Sequence, residues 1–145
     1  MNKKVKNATA KVYDGIKFRS ITEVRFYKFM KSKGLNPLYE KDKIVLMEAF
    51  RPSHAWYMDG AEQVIKSGEP KKISQMTYTP DFRLNYGNTT VYIEAKGNEN
   101  DVFPVKRKLF LDWIEKQPKP IIFAEIKTIR GLDAFLKKLE EGLVA

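Results

Sequence analysis

Residues 91–97, Val-Tyr-Ile-Glu-Ala-Lys-Gly, have the alternating pattern of a half-buried β-strand. Successive side chains of a strand point to opposite faces, so Tyr92, Glu94 and Lys96 share one face while the apolar residues between them can enter a core. A carboxylate and an ammonium group therefore lie side by side near the end of this strand. An isolated Glu-x-Lys pair in a strand is most often a surface ion pair worth about 0–1 kcal/mol, so its meaning depends on its neighbours.

The segment before this strand supplies a second carboxylate. Residues 78–82 are Tyr-Thr-Pro-Asp-Phe, and a strand predicted over 77–84 is followed by a turn at 85–88 and a strand at 90–95. Pairing of these two strands brings Asp81 near Glu94. Two close carboxylates repel each other unless a cation joins them, and oxygen ligands suit Mg²⁺ or Mn²⁺. Such an ion, with Lys96 beside it, could activate water for attack on a phosphodiester.

The remaining chain predicts a single α/β domain over residues 18–145. Helices are expected at 21–33, 102–116 and 132–142, and further strands at 38–40, 44–47 and 121–126. Ser20 and Glu23 have the spacing of a capping box that begins the first helix, and Gly34 ends it. Residues 1–17 predict a basic N-terminal arm with a short strand at 11–13, and residues 51–75 predict an irregular excursion.

The net charge and the numbers of cysteine and histidine residues limit the functions that the chain can have. The 145 residues carry a formal net charge of +9, which favours a polyanionic partner such as nucleic acid. There is no cysteine and a single histidine, His54, so disulfides, thiolate zinc sites and paired-histidine mechanisms are excluded. No run of about 18 apolar residues predicts a membrane span, and the basic N-terminus is not followed by the apolar run of a secretory signal. We therefore expect a cytoplasmic protein without membrane partners.

Together these motifs resemble the PD-(D/E)XK nuclease superfamily, whose signature is Pro-Asp followed by Glu-x-Lys. The wider order is similar to the endonuclease I Holliday junction resolvases of short-tailed phages and to related small phage proteins. Its four pieces are a Phe-x-Ser-x-x-Glu helix at 18–23, Leu-Tyr-Glu at 38–40, Tyr-Thr-Pro-Asp-Phe at 78–82 and Glu-Ala-Lys-Gly at 94–97. The resemblance covers about residues 18–126, most of the chain.

The resemblance implies a restriction-endonuclease-like core, in which helices flank a central mixed β-sheet in the order α-β-β-β-α-β-α. It implies that Asp81, Glu94, Glu23 and the backbone carbonyl of Ala95 ligate Mg²⁺, for which Mn²⁺ could substitute. Lys96 would be the catalytic lysine, and Glu23, Asp81 and Glu94 would complete the catalytic set. The implied partner is branched or junction DNA, cut by a homodimer in the cytoplasm of a bacterial host. The chain departs from the resolvases in its longer 51–75 excursion and in lacking their extended basic C-terminal part.

Several alternatives stay open. Glu23 could merely close the capping box on the Ser20 N–H, which would compete with a role at a metal. Four basic residues could contact DNA phosphates or simply form solvated surface: Arg19, Lys106, Arg107 and Lys108. At the level of function, the rivals are a general nicking or double-strand DNA endonuclease, a non-catalytic DNA-binding module on the same fold, and an RNA nuclease.

Overall fold

The computed structural model describes residues 11–54, 72–95 and 102–142. The helices within these ranges are α1 (Ile21–Ser32), α2 (Phe103–Glu115) and α3 (Ile129–Glu140). The strands are β1 (Lys11–Tyr13), β2 (Ile16–Phe18), β3 (Leu38–Tyr39), β4 (Ile44–Met47), β5 (Met76–Tyr78), β6 (Phe82–Tyr86), β7 (Thr89–Ala95) and β8 (Ile121–Ile126).

The central sheet has the strand order β3-β6-β7-β8. The β3–β6 and β6–β7 pairs are antiparallel, whereas β7 and β8 are parallel. Since the parallel pair cannot be joined by a tight turn, α2 lies between its strands in the chain. The predicted α/β class with a central mixed sheet and flanking helices is therefore confirmed.

Each face of the sheet carries its own core. Alternate residues of β6 and β7 pack with α1 and α3 on one face, where Phe82, Val91 and Leu132 are fully buried. On the opposite face, Tyr92 of β7 packs with Phe110 of α2 in a second cluster. The antiparallel pair β4–β5 joins this second cluster as a separate two-stranded sheet. The central sheet thus lies between two apolar layers, and its ends are where polar groups can collect.

The strand predicted over 77–84 is wrong in one respect, because two strands occupy this segment. β5 ends at Tyr78 and pairs with β4, whereas β6 begins at Phe82 and pairs with β3 and β7. Pro80 lies in the break; it has no N–H to donate to a ladder, so a strand interior disfavours it. Asp81 follows directly, at the entrance to β6 and outside the ladder.

The short strand predicted at 11–13 is present as β1, and residues 11–18 form the antiparallel hairpin β1–β2. Asp14 and Gly15 make its turn with φ of 57° and 76°. Asp-Gly readily adopts two successive positive φ values, which is why this dipeptide favours a tight hairpin. The Tyr27 hydroxyl of α1 donates to the Asp14 carboxylate at 2.7 Å, which ties the hairpin to the domain. Residues 1–10 lie outside the described ranges.

The helix predictions hold apart from one boundary. α1 begins at the predicted cap, where the Ser20 hydroxyl accepts the Glu23 N–H at 3.1 Å, and Gly34 follows its end with a φ of 81°. α3 begins one turn earlier than predicted, because the Thr128 hydroxyl accepts the Gly131 N–H at 3.0 Å and caps the helix.

Most of the predicted 51–75 excursion lies outside the described residues. Within the described ranges, no helix is long and apolar enough to span a bilayer.

Candidate active site

A cavity of about 490 Å³ opens at the end of β7, where the break between β5 and β6 meets the start of α1. Carboxylates and cations line it together with the first residues of α2. The residues that line it include Arg19, Glu23, Tyr78, Asp81, Glu94 and Lys106. We call this cavity the acidic cleft.

Asp81 lies in the cleft because it belongs to the short segment between β5 and β6, directly before β6 begins. Its side chain is only 7% exposed, and its Oδ2 accepts the Ala95 N–H at 2.8 Å. This hydrogen bond extends the β6–β7 pairing by one step, because Phe82 is the register partner of Ile93. The Asp81 side chain thus continues the β6–β7 ladder and is held at the end of β7.

Glu94 enters the cleft from β7 itself. The Tyr78 hydroxyl donates to Glu94 Oε1, and the Asp81 N–H also donates to the Glu94 carboxylate. The structure therefore brings Asp81 and Glu94 together, as the pairing of their strands predicted. In the parallel register with β8, Glu94 lies opposite Glu125, which adds a further negative charge on the neighbouring strand.

Glu23 reaches the same cleft from the first turn of α1, and it is 6% exposed. Its Oε1 accepts the Arg19 N–H at 2.9 Å and the Tyr39 hydroxyl at 2.9 Å. Its carboxyl group also hydrogen-bonds with that of Asp81. Glu23 thus bonds the Arg19 N–H in place of the Ser20 N–H that a capping box would use, and it lines the cleft as well.

The raised pKa values of Asp81 and Glu94 indicate that the negative charge in the cleft is not balanced by positive charge. Burial, followed by the charges of Glu94 and Glu23, raises the pKa of Asp81 well above its usual range. Burial also raises the pKa of Glu94, against the opposing hydrogen bonds from Tyr78 and the Asp81 backbone. Desolvation and like charge both disfavour ionised carboxylates, and a cation between them reverses both effects.

The donor set fits a hard divalent cation. Asp81, Glu94 and Glu23 offer carboxylate oxygens, which are the ligands that Mg²⁺ and Mn²⁺ prefer. The fit rests on donor chemistry and charge: among residues 11–54, 72–95 and 102–142, no three acidic or histidine side chains are already spaced as a metal site. Ala95 lines the cleft, and a role for its carbonyl as a further ligand stays a prediction. Lys96, the predicted catalytic lysine, lies outside the described residues.

The predicted phosphate contacts divide into two pairs. Arg19 and Lys106 line the cleft. The Arg19 side chain is largely exposed, and its Nε contacts Glu40 Oε2 at 2.7 Å, which raises the pKa of Arg19. Glu40 has a φ of 46°, a conformation that side chains with a Cβ rarely adopt. Both residues of this ion pair line the acidic cleft.

The other two predicted contacts lie elsewhere. Arg107 turns toward the sheet, where its Nε contacts Glu125 Oε2 at 2.5 Å and its guanidinium lies 4.9 Å from the centre of the Phe103 ring. Lys108 is exposed on α2 and does not line the cleft. Of the three basic residues of α2 at 106–108, Lys106 lines the cleft, and phosphate contact by any of them stays a prediction.

Sequence reasoning missed three residues that hydrogen-bond to the acids or lie beside them on a neighbouring strand. They are Tyr39, Tyr78 and Glu125. Only Glu125 had a usable signal: alternation along 121–126 puts Phe123 and Glu125 on one face, and pairing with β7 brings that face beside Glu94. The tyrosine hydroxyls reach acids 16 residues away in sequence, and no local pattern reports such contacts.

Comparison with known proteins supplies the family. A family model described as "Protein of unknown function (DUF1064)" matches residues 3–128. The chain belongs to this family. The matched segment runs through β8, so it contains Glu23, Asp81 and Glu94 together with the tyrosines that contact them. No curated protein and no solved structure matches the chain.

Proposed function

We propose that this protein is a Mg²⁺-dependent endonuclease with a restriction-endonuclease-like core, which hydrolyses phosphodiester bonds in DNA. One observation supports the proposal above all: two buried carboxylates, Glu23 of α1 and Asp81 before β6, meet the half-buried Glu94 of β7 in one cleft. Their elements also follow the chain order that the PD-(D/E)XK resemblance implies. A buried acid such as Asp81, whose pKa is raised by burial and by the charges of Glu94 and Glu23, is costly unless a cation or a reaction uses it.

Each residue has a defined task on this proposal. Asp81 and Glu94 hold the ion, and Glu23 completes the acidic set. The chemistry that a bound Mg²⁺ supplies is polarisation of the phosphodiester and a lowered pKa of a coordinated water. Arg19 and Lys106 hold the phosphate backbone at the cleft. Lys96, which follows β7, supplies the amine that stabilises charge on the phosphate.

The charge distribution favours a nucleic acid over a small substrate. The chain has a net charge of +9 although its cleft is acidic. A polyanion is drawn to the basic surface, while the acids themselves repel phosphate until a divalent cation binds. A non-catalytic DNA-binding module would gain nothing from acids at this position, so this arrangement favours the enzyme.

The test is cleavage of plasmid and linear duplex DNA with Mg²⁺, with Ca²⁺ as the control that fills oxygen sites without supporting the reaction. Asp81→Asn and Glu94→Gln should reduce cleavage to the level without protein, while DNA binding is kept or becomes tighter. Asp112→Asn is the matched control, because Asp112 is an exposed acid of α2 that contacts Lys116. Cleavage retained by Asp81→Asn, or none by the wild type with any divalent ion, would refute the proposal.

The finer assignment, a structure-selective nuclease acting as a homodimer on Holliday junctions, rests on the resemblance to the phage resolvases. Four-way junctions should then be cut faster than matched linear duplexes, and light scattering should give twice the monomer mass. Equal rates would favour a general nicking or double-strand endonuclease. A matched RNA substrate, tested alongside, separates a deoxyribonuclease from an RNA nuclease.

A further inference from the structure

We infer that Tyr78 is a positioning residue for the metal site: its hydroxyl holds one carboxylate oxygen of Glu94 so that the other oxygen is presented to the cation. The inference rests on the proposed function and adds to it a residue that does not itself touch the ion. The observation that carries it is the hydrogen bond from the Tyr78 hydroxyl to Glu94 Oε1 within the acidic cleft.

The Tyr78 ring is held from several directions, so its hydroxyl has a fixed position. Tyr78 is 7% exposed, and its ring centre lies 4.8 Å from that of Phe110. Phe103 and Phe123 lie 6.1 Å and 6.3 Å away, the latter edge-on at 89°. A donor whose ring cannot move restricts the carboxylate that it bonds, which lowers the conformational entropy lost when Glu94 binds an ion.

A similar arrangement holds Glu23, which also lines the cleft. Tyr39 donates to Glu23 Oε1 at 2.9 Å, and its ring packs 4.6 Å from that of Phe18. Asp81 has a shorter side chain, and a backbone donor, the Ala95 N–H, holds it instead. Each of the three proposed ligands therefore has an oxygen held by a donor from the protein. Ligands oriented by such surrounding hydrogen bonds are a general feature of metal sites.

Tyr92 offers a matched comparison on the same face of the sheet. It is 5% exposed, belongs to the same apolar cluster as Tyr78 and lies 5.8 Å from the Phe110 ring. Its hydroxyl also donates to a carboxylate, Asp42 Oδ2, at 2.7 Å. Neither Tyr92 nor Asp42 lines the acidic cleft. Tyr92→Phe therefore removes an equivalent hydrogen bond without affecting the proposed metal ligands.

The experiment compares Tyr78→Phe, Tyr92→Phe and the wild type as full chains. Mn²⁺ binding is titrated by the electron paramagnetic resonance signal of the free ion, at one pH and without DNA. Tyr78→Phe should weaken Mn²⁺ binding about 10-fold or more, while Tyr92→Phe stays within about twofold of the wild type. In cleavage assays the half-saturating Mg²⁺ concentration should rise by the same factor, with the rate at saturating Mg²⁺ largely retained. A merely structural role would instead lower the rate at every Mg²⁺ concentration.

Wild-type affinity in Tyr78→Phe, or equal losses in both variants, overturns the inference. Failure of the proposed function is distinguishable, because the wild type would then neither bind Mn²⁺ nor cleave DNA. Circular dichroism of each variant checks the fold. Should Tyr78→Phe not fold, Tyr39→Phe decides the question: it must weaken Mn²⁺ binding, although Glu23 keeps the Arg19 N–H. Unchanged Mn²⁺ affinity in Tyr39→Phe then refutes positioning by the tyrosines.

Discussion

Replacing Asp81 by asparagine should stabilise the metal-free protein increasingly as the pH rises, although it removes a proposed ligand. Asp81 is 7% exposed, and its burial raises the pKa of the carboxyl group. Ionisation in the folded state therefore costs free energy that an uncharged amide does not. Asparagine has the same size and retains an oxygen that can accept the Ala95 N–H, now made by Asp81 Oδ2.

The sign and size follow from proton linkage. Because the folded pKa exceeds the unfolded value of about 4, the stability that the protonated carboxyl contributes is complete below about pH 4 and is lost as the pH rises through the folded pKa. Within that window the loss is at most about 1.4 kcal/mol per pH unit for one group. From about pH 5 to pH 7 the variant should thus gain up to about 2.7 kcal/mol over the wild type, or about 8 °C in melting temperature for a domain of this size.

Thermal unfolding followed by circular dichroism, in EDTA at about pH 5, 6, 7 and 8, measures this difference. The separation between Asp81→Asn and the wild type should widen with pH. Asp112→Asn should follow the wild type, because Asp112 is 61% exposed. A constant separation, or one that narrows as the pH rises, would refute the reasoning about the buried carboxyl.

Four further outcomes are expected. At pH 8, Mg²⁺ at about 100 times its dissociation constant should stabilise the wild type by about 2.7 kcal/mol and Asp81→Asn far less; equal shifts in melting temperature would contradict a site at Asp81. Thr128→Ala should lose about 1 kcal/mol in urea unfolding, because the Thr128 hydroxyl caps α3; an unchanged midpoint would argue against the cap. Leu132→Ala should lose about 2–5 kcal/mol, since Leu132 is fully buried; a loss below about 1 kcal/mol would mean that the core collapses around the gap. Gly15→Val should lose about 1–2 kcal/mol, because Gly15 has a φ of 76°; full stability would speak against that turn.

Local patterns were sufficient for the elements with strong periodicity. The strands at 44–47 and 121–126 and the helix that begins at residue 21 lie where alternation and capping predicted them. The proximity of Asp81 and Glu94 was also predictable, because the turn between two adjacent strands fixes which residues can pair.

Other features depended on distant parts of the chain. The interruption at Pro80 divides one predicted strand between two sheets. The strand that pairs with β5 is β4, which lies some 30 residues earlier in the sequence. The start of α3 directly after Thr128 could have been predicted locally from the capping preference of threonine, but hydrophobic periodicity alone did not indicate it. The hydroxyl contacts of Tyr39 and Tyr78 are tertiary, since they require the cleft to be closed before either ring has a partner.

The parallel pairing of β7 with β8 determines when the cleft can be completed during synthesis. β6 and β7 are joined by a short turn and can pair as soon as they leave the ribosome, whereas β8 must wait for the whole of α2. A nascent chain that ends near residue 120 already contains Glu23, Asp81 and Glu94. Without β8, however, β7 has an unpaired edge, and Phe110 of α2 has no contact with the Phe123 ring. A chain terminated there should therefore aggregate, and the cleft should be complete only after β8 has paired with β7.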